Sequence, residues 1–85
     1  MNFQDYQQQL EKCLGSQDQN IQTAAQRANG YTAMLTSGQI NKQEYQELLL
    51  DIQRSAAIAQ SMDQAGYKEL LNNIINGLIT LTSLI

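Results

Sequence analysis

The chain contains no histidine, no proline and no tryptophan, and only one cysteine and one phenylalanine among its 85 residues. Each absence removes a class of protein. Without histidine, the commonest general base and the commonest metal ligand are both missing. A single thiol with no imidazole cannot form the usual nucleophile pair. The five glycines, Gly15, Gly30, Gly38, Gly66 and Gly77, stand apart from one another, so no glycine-rich phosphate loop exists. No catalytic residue, cofactor or metal ligand is expected, and the chain does not read as an enzyme. Cys13 has no second thiol to pair with, which excludes a scaffold built on internal disulfides. Its place on an apolar helical stripe marks it as a small core residue.

Charge is also scarce. Charged residues make up 15% of the chain, with a net charge of −3. Lys12, Arg27, Lys42, Arg54 and Lys68 are scattered and form no patch, so nucleic acid is not an expected partner. Weak repulsion between copies suits a subunit that packs against other subunits. The opening Met1-Asn2-Phe3-Gln4-Asp5 has no basic stretch leading into an apolar run. No signal peptide is read there, and a cytoplasmic location is expected.

What is present in quantity is glutamine, leucine, alanine and isoleucine, which together favour helix over sheet. A chain of this length is one domain, near the lower limit at which a single core suffices. The expected fold is all-α, a single helical domain over 1–85. It is a small bundle of three to four antiparallel amphipathic helices at about 2–14, 17–37, 42–61 and 63–84. In the alternative, the last two run together as one long helix.

The clearest local signal is Ser37-Gly38-Gln39-Ile40-Asn41-Lys42-Gln43-Glu44-Tyr45. Gly38 can take the left-handed conformation that closes a helix. Asn41 is a strong N-cap, and Glu44 stands where it completes a capping box. Ile40 and Tyr45 are spaced as a hydrophobic staple across the start of the next helix.

Before this corner, Phe3, Tyr6, Leu10, Cys13 and Leu14 recur at helical spacing. Asn2 can cap that helix, with Asp5 in its first turn, and Gly15 stops it. Ser16 and Gln19 offer a second capping box. The helix that follows carries Ile21, Ala24, Ala25, Ala28, Tyr31, Met34 and Leu35 on one face. The small residues allow a neighbouring helix close, and Gly30 calls for a close contact or a kink.

After the corner, Tyr45, Leu48, Leu49, Ile52, Ala56, Ala59 and Met62 form a stripe, which Leu50 and Ile58 widen. Glu44, Glu47 and Asp51 share the opposite face, as solvated carboxylates favoured by the helix dipole. Ser61 to Gln64 reads as a third capping box, with Gly66 as a stop or a tolerated interior residue. Tyr6, Tyr31, Tyr45 and Tyr67 read as packing residues with the hydroxyl at the surface. The many glutamines read as the uncharged solvent face of the helices.

The final segment is the most apolar, and no charge follows Glu69. Leu70, Leu71, Ile74, Ile75, Leu78, Ile79, Leu81, Leu84 and Ile85 cover more than half of its circumference. Such a helix is the central packing element of a bundle or a surface that awaits a partner. These nine residues are the candidate partner-binding set. Asparagines interrupt the run, so a membrane span is not expected.

Residues 35–49, Leu35-x-x-Gly38-x-Ile40-Asn41-x-x-Glu44-Tyr45-x-x-Leu48-Leu49, resemble the short helical-hairpin module known as SHOCT. That family shows a leucine, then Gly-x-Ile-Thr/Ser-x-x-Glu-Phe/Tyr, then a leucine pair. The chain departs from it in carrying Asn41 at the cap and in placing the motif mid-chain. The resemblance implies oligomerisation or partner docking. In composition, a short, glutamine-rich, histidine-free helical chain that ends apolar also resembles small bacteriophage structural and assembly proteins. The expected function is therefore a structural or assembly protein that self-associates, as a homo-oligomer, or docks on a protein partner, in the virion if of phage origin. Two other readings stand beside it. One is a small acidic regulator or inhibitor that binds a cellular protein through Glu44, Glu47 and Asp51. The other is a membrane-active protein that inserts its last helix.

Overall fold

The computed structural model describes residues 2–54 and 66–85, which form four α-helices and no strand. They are α1 (Phe3–Cys13), α2 (Gln19–Thr36), α3 (Lys42–Gln53) and α4 (Tyr67–Leu84). Helix α3 ends at Gln53 with Arg54 as its C-cap, short of the expected 61. The expected stripe positions Ala56, Ile58, Ala59 and Met62 and the expected capping box at 61–64 lie outside the described residues.

Three of the four described helix starts carry a side-chain cap. Asn2 Oδ1 accepts from the Asp5 amide at 2.9 Å, and Asp5 Oδ2 accepts from the Asn2 amide at 3.2 Å. Together they make a full capping box in which aspartate replaces the more usual glutamate. Asn41 and Glu44 make the expected one on α3, at 2.8 and 3.1 Å. Helix α2 differs from expectation. Its cap is Asp18, whose Oδ1 accepts from the Asn20 amide at 2.8 Å, so the helix starts two residues past the expected 17.

The cause lies in the preceding turn. Leu14, Gly15 and Ser16 donate in succession to the carbonyls of Glu11, Lys12 and Cys13 at 3.0–3.1 Å, which winds the end of α1 into a tight 3₁₀ turn. Ser16 is thereby drawn inside, 1% exposed. Its hydroxyl accepts from the Asp18 amide at 3.1 Å, and its carbonyl accepts from the Gln22 side chain. Ser16 anchors the connection and does not cap the helix. Gly15 stands past the end of α1 without a left-handed φ.

The corner at Gly38 forms as its residues predict. Gly38 has φ +82°. Its amide donates to the Leu35 carbonyl at 3.1 Å, and the Gln39 amide reaches Met34 at 2.9 Å. These are the two bonds of a Schellman motif, with Ser37 as the C-cap. Ile40 and Tyr45 both pack on the core.

The last two helices are separate. Gln46 Nε2 donates to Ser83 Oγ at 3.0 Å and to the Ile79 carbonyl at 3.3 Å, and Gln53 Nε2 donates to Asn76 Oδ1 at 2.7 Å. Rising residue numbers on α3 meet falling numbers on α4, so the two are antiparallel. One continuous helix would hold residues 46 and 83 about 55 Å apart. Helix α4 begins at Tyr67, past the expected 63, and Gly66 is neither a stop nor an interior residue. At φ +83° it is the N-cap, with no side-chain cap bond, and redirects the chain into α4. The alternative of a single long helix is thus overturned.

Helix α1 runs antiparallel to α4 in the same way, with Tyr6 beside Gly77 and Gly15 beside Tyr67. Short connections join α1 to α2 and α2 to α3, and each pair packs together. The described helices therefore close an up-down-up-down ring, α1–α2–α3–α4–α1, with α2 and α4 in contact across it. The core between them is formed by Leu10, Cys13, Ile21, Ala24, Ala25, Ala28, Tyr45, Leu49, Ile52, Leu71, Ile74, Ile75 and Leu78. The alanine face of α2 is inside, which lets the small ring close.

Candidate interaction surface

The ring brings the start of α1, the end of α2, the start of α3 and the end of α4 to one end of the bundle. Phe3 meets Tyr45 edge-to-face there, with centroids 6.3 Å apart and an interplanar angle of 80°. The Lys42 ammonium donates to the main-chain oxygen of Ile85, which ties the start of α3 to the end of α4. Phe3, Leu35, Ile40 and Leu81 are half-buried at this end. Beyond them Leu84 and Ile85 stand 79% and 62% exposed.

The candidate partner-binding residues divide accordingly. Leu71, Ile74, Ile75 and Leu78 are buried in the chain's own core. No partner reaches them while the bundle is intact. Leu70 and Ile79 are half-buried and pack against that core, and Leu81 is half-buried as well. Leu84 and Ile85 are the members open to solvent. At 100° per residue, Leu70, Gly77, Leu81 and Leu84 follow the edge of α4 that turns towards α1. The polar edge, with Asn76, Ile79 and Ser83, turns towards α3, where the glutamine side chains meet it.

Glu44, Glu47 and Asp51 are exposed along the outside of α3. Glu44 is engaged in the cap of its own helix. Among the described residues no group of three acidic or sulfur side chains is placed to hold a metal ion. Arg27, one turn before Tyr31 on α2, donates from Nε and Nη2 to the Tyr31 hydroxyl at 3.2 and 3.1 Å and lies 5.8 Å from its ring centre. Cys13 is fully buried.

Two features escaped the sequence reading. Tyr45 does not carry its hydroxyl to the surface. The residue is fully buried, and its hydroxyl lies 2.6 Å from Thr32 Oγ1. Thr32 in turn donates to the Ala28 carbonyl at 2.8 Å. The threonine proton is committed to Ala28, so Tyr45 must be the donor to Thr32. Burial pushes the Tyr45 phenol above its ordinary range. Glutamine was the second omission. Gln46 and Gln53 stitch α3 to α4, a role that no spacing rule distinguishes from a solvated face.

Among the described residues no helix is long and apolar enough to cross a membrane. Comparison with known protein families, with characterised proteins and with solved structures returns no match.

Proposed function

We propose that the chain is a non-enzymatic assembly protein that self-associates or docks on a protein partner through the apolar end of its bundle, in the manner of a small phage structural subunit. The observation that carries this is the pair Leu84 and Ile85. They are the most exposed large apolar side chains described, and they cap a rim of half-buried apolar residues. The uncharged run after Glu69 and the low overall charge support the same reading, because little electrostatic repulsion opposes close approach. The resemblance of residues 35–49 to a hairpin module that oligomerises or docks points the same way. A standard interface buries about 800 Å² on each partner. Two side chains fall well short of that, so the contact is a weak one repeated over many copies, or one in which the half-buried rim also takes part.

Sedimentation velocity from micromolar to millimolar concentration tests the proposal on the wild type and on the double variant Leu84→Asp/Ile85→Asp. The expected result is association that rises with concentration in the wild type and is lost in the variant, with the same helical circular dichroism in both. Two folded monomers that sediment alike throughout would overturn self-association through this end.

A further inference from the structure

We draw no further inference here: the strongest candidate, the exposed apolar end of α4 at Leu84 and Ile85 with the half-buried rim around it, belongs to the surface already described, and nothing in the structure shows what covers it.

Discussion

Tyr45 carries a hydroxyl into a core otherwise built of aliphatic side chains and the Cys13 thiol, and Thr32 makes that tolerable. The two hydroxyls and the Ala28 carbonyl form one directed chain, with Tyr45 donating to Thr32 and Thr32 donating to Ala28. Removing either hydroxyl has unequal consequences. Tyr45→Phe deletes a donor whose acceptor remains partly satisfied, and should cost about 0.5–1.5 kcal/mol. Thr32→Val leaves the buried phenol with no acceptor and should cost more, about 1–3 kcal/mol. Urea unfolding of the two variants would expose the reverse order if the donor assignment is wrong. The same tyrosine makes stability fall at alkaline pH. Its folded pKa is raised, so the unfolded phenol ionises first, near pH 10, and the unfolded state then binds fewer protons than the native one. Stability contributed by the protonated phenol is complete below that pH and declines as pH rises towards the folded pKa. Tyr45→Phe should show a shallower alkaline loss than the wild type, and parallel pH–stability curves would refute the assignment.

At the scale of the helix, the glycines separate into different physical situations. Gly30 is exposed on α2, and an added Cβ would have nothing within 4 Å. Of the two readings offered for it, the close contact is therefore ruled out. Gly30→Ala should therefore stabilise the protein by about 1 kcal/mol through helix propensity. Gly77 is the true close approach. A Cβ there would lie 2.5 to 2.7 Å from the Tyr6 ring and hydroxyl. Gly77→Ala gains the same propensity but must push the Tyr6 ring aside, at a cost of about 1–3 kcal/mol. Gly38→Ala forces a left-handed alanine and should cost about 1–2 kcal/mol. Thermal melts of the three should rank Gly30→Ala above wild type and the other two below it. Spacing alone identifies Gly38, because a helix end and a cap flank it. It does not identify Gly77, because only the arrival of α1 makes that position crowded.

For the whole molecule, the end of the chain is where core and surface part company. Leu71 and Leu84 are the same residue type on one helix, thirteen positions apart, with 0% and 79% exposure. Leu71→Ala should cost about 2–4 kcal/mol through a core cavity. Leu84→Ala should change stability by no more than about 0.5 kcal/mol. Equal losses in denaturant titrations would mean that Leu84 is covered in the folded monomer. The assembly proposal depends on this contrast, since an intact bundle offers only what its own core has not taken.

Local chemistry was enough to determine α1 and the corner between α2 and α3. The apolar period, Asn2, Asn41 and Glu44 as caps and Gly38 as a left-handed stop act within a few residues of themselves, so their meaning does not wait on the fold. Where a second local device competed, at Ser16 and Asp18, the 3₁₀ turn ending α1 settled the boundary. The antiparallel ring, the seat of Tyr6 on Gly77, the Tyr45–Thr32 pair and the glutamine stitches belong to tertiary structure. Each joins residues whose separation in the chain carries no periodic signal. The division of α4 into a buried face and an open tip is of the same kind. An apolar helix announces that it must be covered, but only its neighbours decide how much of it they cover.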